Sequence, residues 1–168
     1  MKLTNNHYRK RLSKKLTSSA LVPFFVIGAS TVIAADQVNQ SYIIENAKTG
    51  KDWPTHGFDY AETRFSPLSQ ISADNVENLG LAWSYNLEST RGVEATPLVV
   101  DGVMYVTASW SIVHALDAKT GKKLWTYDPE VPGEAGSRGC CDVVNRGVAV
   151  HYGNVYVASY DGRLIAID

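Results

Sequence analysis

The sequence predicts an all-β fold, namely part of a β-propeller with about two blades, on the basis of three observations. Short segments of alternating apolar and polar residues are separated by tight turns from residue 95 onward. The pattern starts again 51 residues later, so Gly102 corresponds to Gly153 and Tyr105 to Tyr156. Four-stranded repeats of this length are typical of propeller blades, which bury their faces only against neighbouring blades.

Seven strands are predicted in two units. The first unit is a four-stranded meander, and the second supplies three strands before the sequence ends at Asp168. Because the fourth strand of the second unit is missing, we expect the sequence to be incomplete, and two blades that cannot close a ring to be poorly stable alone. The predicted strands are 96–100, 103–108, 112–117 and 122–128 in the first unit, and 147–151, 154–159 and 163–168 in the second.

Turns that precede a tryptophan-bearing strand are the packing device of the predicted blades. Residues 115–125 contain a turn capped by Asp117, followed by a strand with Trp125. Gly121 makes this turn possible, and a degenerate copy upstream ends on Trp83. We expect both tryptophans to dock against neighbouring blades, which is a structural role.

The first 34 residues are predicted to be a cleaved secretory signal peptide. Six basic residues precede an apolar run from Ala20 to Ala35, and no acidic residue occurs before Asp36. An uncleaved membrane anchor is the alternative, but the run contains Pro23 and is short for a bilayer, so we expect no stable membrane span. The predicted organisation is a signal peptide at 1–34, an N-terminal extended segment at 35–80 and the first propeller blades at 81–168.

Removal of the signal peptide would change the charge of the protein. The whole sequence has a net charge of −1, but residues 35–168 keep ten basic and all seventeen acidic residues, a net charge of −7. Such an acidic chain lacks the basic surface of a nucleic-acid binder, so no nucleic-acid partner is expected. Export to the oxidising periplasm would permit disulfide formation.

The two cysteines of the sequence, Cys140 and Cys141, are adjacent. Bridged cysteines usually place their Cα atoms ~4.4–6.8 Å apart, whereas neighbouring residues are held at ~3.8 Å. A bond between them would be strained, and its ring would be too small to stabilise the fold much, so its use would be local and chemical. Two unpaired thiols are equally compatible with this pair of residues.

Functional side chains are predicted to meet at one rim of the propeller axis. Glu94 precedes the first strand of one unit and corresponds to Asn145 in the next, where Arg146 follows. The long linker 129–145 would bring the cysteine pair to the same rim, and long ordered loops are usually functional. A purely structural ion pair is the alternative. With the cysteines, the cluster indicates a pocket for a flat polyanionic ligand, because a guanidinium binds carboxylate or quinone oxygens with two donors.

The string Cys-Cys-Asp-Val-Val-Asn-Arg at 140–146 is the most specific motif of the sequence. It resembles the pyrroloquinoline quinone (PQQ) dependent alcohol dehydrogenases of the methanol/ethanol group, and the similarity spans essentially all of residues 45–168. The quinohaemoprotein branch is the most similar, and its full-length members carry a cytochrome c domain. Because the sequence has no Cys-x-x-Cys-His, haem c would require such a further domain. The other matching segments are 52–66, 90–97, 102–110 and 115–121.

The resemblance implies an eight-bladed propeller with PQQ on its axis, a calcium ion beside the cofactor and a vicinal disulfide over one cofactor face. Cys140 and Cys141 would form that disulfide, Glu94 would be a cofactor-binding acid, and Arg146 would hydrogen-bond the quinone oxygens. The catalytic aspartate base and the calcium ligands are expected beyond Asp168. No catalytic residue or metal ligand is therefore assigned within this sequence.

These features predict the N-terminal part of a periplasmic PQQ-dependent dehydrogenase that oxidises primary alcohols to aldehydes. Electrons would pass to a cytochrome c or a quinone, and this part alone would be inactive. A non-catalytic PQQ-like propeller acting as a scaffold or sensor is the alternative, although a scaffold has no reason to keep Glu94, both cysteines and Arg146 at one rim. A repeat protein with an unrelated ligand is the third interpretation.

Overall fold

The computed structural model describes residues 38–168, so the predicted signal peptide at 1–34 lies outside the described residues. The described part contains one α-helix, seven β-strands and three short 3-10 turns. None of its helices is long and apolar enough to cross a membrane.

Helix α1 (Gln40–Thr49) lies ahead of the sheets. The side chain of Asn39 caps its first turn, and Gly50 ends it in the left-handed conformation, with φ at 66°. The description of residues 35–80 as an extended segment missed this helix, although both capping residues are recognisable in the sequence. Beyond α1, residues 51–97 contain little regular secondary structure, and most of the stretch from 61 to 95 is exposed.

The first sheet is a four-stranded antiparallel meander, as predicted. Its spatial order is β1-β2-β3-β4, with the strands hydrogen-bonded in chain order. Each strand is shorter than predicted, by one or two residues in total. The strands are β1 (Leu98–Val100), β2 (Val103–Thr107), β3 (Val113–Asp117) and β4 (Lys123–Tyr127).

The second sheet repeats the first three strands of this meander. Its strands are β5 (Ala149–His151), β6 (Asn154–Ala158) and β7 (Leu164–Ile167), in the order β5-β6-β7. Strand β6 lies 51 residues after β2, and the turns before these strands place Gly102 and Gly153 at φ values of 80° and 85°. The structural repeat thus has the period that the sequence predicts.

The core lies between the two sheets. Strands β1 and β3 contribute Leu98 and Val113, and β6 contributes Val155 and Val157, while Ile43 of α1 belongs to the same cluster. All five side chains are at least nine-tenths buried. Each sheet therefore covers part of the other, as expected for neighbouring blades.

Trp83 docks onto the turn between β3 and β4. Its indole N–H donates a hydrogen bond to the Ala118 carbonyl oxygen at 3.1 Å, and a Cβ atom on Gly121 would lie 2.5 Å from the indole ring. The predicted docking of Trp83 is therefore confirmed. Trp125 lies 6.0 Å from Tyr105 of its own sheet, measured between ring centroids, and its docking onto a following blade stays a prediction.

Candidate functional site

The segments that precede β1 and β5 come together at one end of the sheets. The guanidinium of Arg146 lies 3.0 Å from the Glu94 carboxylate, measured from Nη2 to Oε2. The Thr96 backbone N–H also donates to the Arg146 carbonyl oxygen at 3.2 Å. The structure thus places Glu94 and Arg146 next to each other, and 46% and 76% of their side-chain surfaces remain exposed. Both side chains can reach a ligand from this position.

Asn145 lies at the same junction but is occupied by contacts within the protein. Its amide nitrogen donates to the Ala158 carbonyl oxygen at 2.9 Å and to the Ser111 hydroxyl at 3.1 Å. Its amide oxygen accepts from the Gly147 backbone N–H at 3.0 Å. Asn145 therefore joins the loops of the two units.

Cys140 and Cys141 are joined by a vicinal disulfide, with their Cα atoms 3.8 Å apart. Both residues are exposed, so the bond lies at the surface of the described part of the chain. Cys141 and Asp142 both have φ at 70°, in the left-handed region that non-glycine residues rarely adopt. Such conformations concentrate at functional sites, where the surrounding structure holds them.

The carboxylate of Asp142 ties the cysteine segment to the chain before β1. Nε and Nη2 of Arg91 both lie 2.5 Å from Asp142 Oδ1, and the Gly92 backbone N–H donates to Oδ2 at 3.3 Å. The hydrogen bond from Arg91 is the main reason that the pKa of Asp142 falls to about 2, and the backbone N–H of Val143 adds to the effect. Asp142 is therefore ionised at physiological pH.

Trp110 packs beneath this ion pair. The Arg91 guanidinium carbon lies 5.7 Å from the centroid of the indole ring, within the range of a cation–π interaction. The Trp110 backbone N–H donates to the carbonyl oxygen of Val143, which is buried, at 2.9 Å. Trp110 and Ser111 have φ values of 61° and 63°, so the loop that packs beneath the Arg91–Asp142 ion pair also contains residues in the left-handed conformation.

An open cavity of about 470 Å³ lies beside the disulfide. Arg138, Cys140 and Tyr160 are among its lining residues, whereas Glu94 and Arg146 are not. The Tyr160 hydroxyl is buried and has no hydrogen-bond partner among residues 38–168. The exposed guanidinium of Arg138 suits a ligand that carries acceptor oxygens.

The residues from 38 to 168 contain no group of three or more histidine, cysteine, aspartate or glutamate side chains placed to hold a metal ion. The expectation that calcium ligands lie beyond Asp168 stays a prediction.

Sequence reasoning missed the side chains that support the cysteine segment, namely Arg91, Asp142, Trp110 and Tyr160. The repeat itself held a signal for two of them, because Arg91 and Asp142 are 51 residues apart and occupy equivalent positions in consecutive units. Trp110 and Tyr160 gave no comparable signal, since their roles depend on how the loops fold over one another.

Proteins of known family share both the sequence and the fold of this chain. The PQQ family model, described as glucose/ethanol/alcohol dehydrogenase, beta-propeller domain, matches residues 53–168. The quinohemoprotein alcohol dehydrogenase of Comamonas testosteroni is 63% identical over 140 residues, which cover 83% of this chain and 20% of that protein. The 1-butanol dehydrogenase (cytochrome c) of Thauera butanivorans is 71% identical over 119 residues, which cover 71% of this chain and 17% of that protein.

Solved structures agree with these sequence relationships. The crystal structure of the Comamonas testosteroni protein superimposes with a TM-score of 0.79 and 64% identity, covering 82% of this chain and 20% of the other. A europium-containing methanol dehydrogenase superimposes with a TM-score of 0.70 and 40% identity, covering 76% of this chain and 23% of the other. The present chain spans about a fifth of the length of the relatives that it matches.

Proposed function

Since the chain belongs to the PQQ-dependent alcohol dehydrogenase family, we propose that it is the N-terminal part of a quinoprotein that oxidises primary alcohols to aldehydes. The observation that carries this proposal is the vicinal disulfide on the segment that also brings Arg146, five residues after Cys141, to the Glu94 carboxylate. These are the residues that the resemblance assigns to the cofactor, and they belong to segments brought together by the fold.

The chemistry of these residues fits PQQ, which is flat and polyanionic. The guanidinium of Arg146 has most of its surface free, so it can donate to carboxylate or quinone oxygens while one nitrogen stays bound to Glu94. The exposed disulfide offers an apolar, rigid group for contact with a ring face. PQQ, when bound, supplies the two-electron acceptor for the alcohol. The positive charge of Arg146 would favour negative charge that develops on a quinone oxygen.

The rest of the proposed enzyme lies outside this chain. We place six further blades, the aspartate base and the calcium ligands beyond Asp168, and we assign residues 1–34 to export into the periplasm. Among the relatives, one is named for cytochrome c and another is named alcohol dehydrogenase (quinone), dehydrogenase subunit. These names support a cytochrome c or a quinone as the electron acceptor, with haem c carried by a further domain if the protein follows the quinohaemoprotein branch.

Reconstitution of the full-length protein with PQQ and calcium tests the proposal. We expect primary alcohols to drive reduction of an artificial dye, with little reduction when either PQQ or alcohol is omitted. A reconstituted protein that binds PQQ without alcohol-dependent reduction would instead be a non-catalytic propeller of the scaffold or sensor type. Arg146→Lys keeps the charge but loses the planar pair of donors, so it separates electrostatic attraction from two-point hydrogen bonding.

A further inference from the structure

We propose that Arg91 and Asp142 are positioning residues that hold the Cys140–Cys141 disulfide in place at the ligand site. This inference rests on the proposed function, because it explains how one wall of the PQQ pocket would keep its position. Neither residue needs to touch the cofactor. The two act through the short stretch of backbone that Asp142 shares with Cys141.

The contacts of Asp142 restrain its carboxylate from two sides. Arg91 approaches Oδ1 with two guanidinium nitrogens at 2.5 Å, and the Gly92 backbone N–H reaches Oδ2 at 3.3 Å. Arg91 is itself restricted, because its guanidinium lies over the Trp110 ring. The carboxylate therefore cannot move without breaking contacts to both a side chain and a backbone group.

The backbone of the cysteine segment needs such a restraint. Cys141 and Asp142 are consecutive non-glycine residues in the left-handed region, which is costly for side chains with a Cβ atom. The segment from Arg138 to Cys141 is exposed, so packing does not fix it, and Val143 is the first buried residue that follows. Residues in unfavourable conformations persist when their surroundings over-determine them, and here the Arg91 contact supplies that restraint.

The same contact links the disulfide to Glu94. Arg91 and Gly92 lie three and two residues before Glu94 on one segment, and Asp142 lies four residues before Arg146 on the other. Two cross-links, Arg91–Asp142 and Glu94–Arg146, thus join the same pair of segments. Loss of the first would let the disulfide move relative to the second.

The competing interpretation is an ordinary surface ion pair, which contributes little to any property. Lys51 and Asp101 form such a pair at 3.4 Å, with both side chains more than half exposed. Lys51→Ala is therefore the matched control for Arg91→Ala, since it removes a cation from an ion pair far along the sequence from the cysteines.

The test uses the full-length protein and two measurements. The first, on the PQQ-free protein, is the rate at which dithiothreitol opens the disulfide. Dithiothreitol gives two electrons and two protons to the S–S bond and becomes a cyclic disulfide, and the two new thiols are trapped by alkylation and counted by mass spectrometry.

The second measurement is the dissociation constant for PQQ. We expect Arg91→Ala to speed opening and to weaken PQQ binding, each by about tenfold, by analogy with the lower end of the range known for residues that orient metal ligands. Arg91→Lys should recover part of both effects, and Lys51→Ala should change neither.

Asp142→Asn is a second variant that keeps the test decisive if Arg91→Ala fails to fold. The asparagine loses the charge, but its amide oxygen can still accept a hydrogen bond from the Gly92 backbone N–H. We expect it to change both measurements in the same direction as Arg91→Ala, with a thermal melting curve like that of the unaltered protein. If both variants matched Lys51→Ala, or if PQQ binding changed with no change in the opening rate, the positioning role would be wrong. If the unaltered protein bound no PQQ, the proposed function would fail, whereas the opening rates would still decide whether Arg91 and Asp142 restrain the disulfide.

Discussion

The two sheets have the same strands and turns but very different burial. Four of the five residues of β3 are buried, whereas none of β7 is. The contrast is clearest at equivalent positions, because Val113 is fully buried and Leu164 is 76% exposed. The local pattern of alternating residues and turns is therefore enough to form the strands of a blade. The burial of its side chains depends on a neighbouring element on each side of the sheet. The first sheet has α1, the segment before β1 and the second sheet around it, and the second sheet has one uncovered face.

The same substitution in the two sheets should give the largest difference. Leu116→Ala in β3 removes a side chain that is 2% exposed, and we expect it to lower the free energy of unfolding by about 2–5 kcal/mol. Leu164→Ala in β7 should change it by less than about 0.5 kcal/mol in this chain, because the side chain is already in water. Urea unfolding followed by tryptophan fluorescence measures both. Equal losses would mean that β7 is covered as well as β3.

Two glycines, both in the left-handed conformation, allow the packing of Trp83 on its turn to be tested. Gly121 and Gly162 have φ values of 71° and 91°, but a Cβ atom would meet the Trp83 ring only at Gly121. We expect Gly162→Ala to cost about 1–2 kcal/mol from the backbone alone. Gly121→Ala should cost about 3 kcal/mol or more, since overpacking adds to the backbone term. Thermal melting compares them, and similar losses would contradict the docking of Trp83.

A histidine in the first sheet should make stability depend on pH. Burial is the main reason that the pKa of His114 is lowered, and the charge of Lys123 adds to the effect. The unfolded chain takes up a proton near pH ~6.5 while folded His114 stays neutral. The stabilising contribution is therefore complete above that pH and is lost as the pH falls toward the folded-state pKa.

His114→Gln is the control, because glutamine can hydrogen-bond Thr126 but does not titrate. We expect the free energy of unfolding, measured in urea at pH 7.5 and at pH 5, to fall more for the unaltered chain than for this variant. The second sheet has Ile165, which does not titrate, at the position equivalent to His114. An identical pH dependence in both proteins would show that another group is responsible.

The smallest effect is expected from two aspartate–arginine pairs. Arg91–Asp142 spans the two units and Arg163–Asp161 stays within the second, and the arginine in each pair is the main cause of an aspartate pKa of about 2. We expect Arg91→Ala to raise the pKa of Asp142 toward ~3.9 and to leave that of Asp161 unchanged. Carboxyl ¹³C NMR across an acid titration measures both. Because these pKa values are lowered, the stabilisation from each pair is present above pH ~4 and is lost as the pH falls toward 2.

The sequence predicted those features that depend on local pattern. Alternating residues located all seven strands to within a few residues, and the glycines at 102, 121 and 153 located turns that need positive φ. The repeat period also brought Glu94 and Arg146 to one junction. The roles of these two residues toward a cofactor, and the export signal, stay predictions.

Contacts between loops could not be predicted in the same way. The Arg91–Asp142 pair, the left-handed turn at Trp110 and the burial of the Tyr160 hydroxyl arise only when two units stack. Helix α1 was missed for a different reason. Its polar surface gives a weak apolar stripe, and the capping residues Asn39 and Gly50 were the stronger signal.

The opposite charges of Arg91 and Asp142 have a consequence for assembly, since the two residues are counterparts in successive repeats. Repeats with alike surfaces can stack on the wrong partner, including the same repeat of another polypeptide during synthesis. Here a first unit that met a second copy of itself would bring arginine against arginine, whereas meeting its true successor brings arginine against aspartate. Like charges across an interface disfavour the wrong partner, so this pair disfavours the stacking of two identical first units.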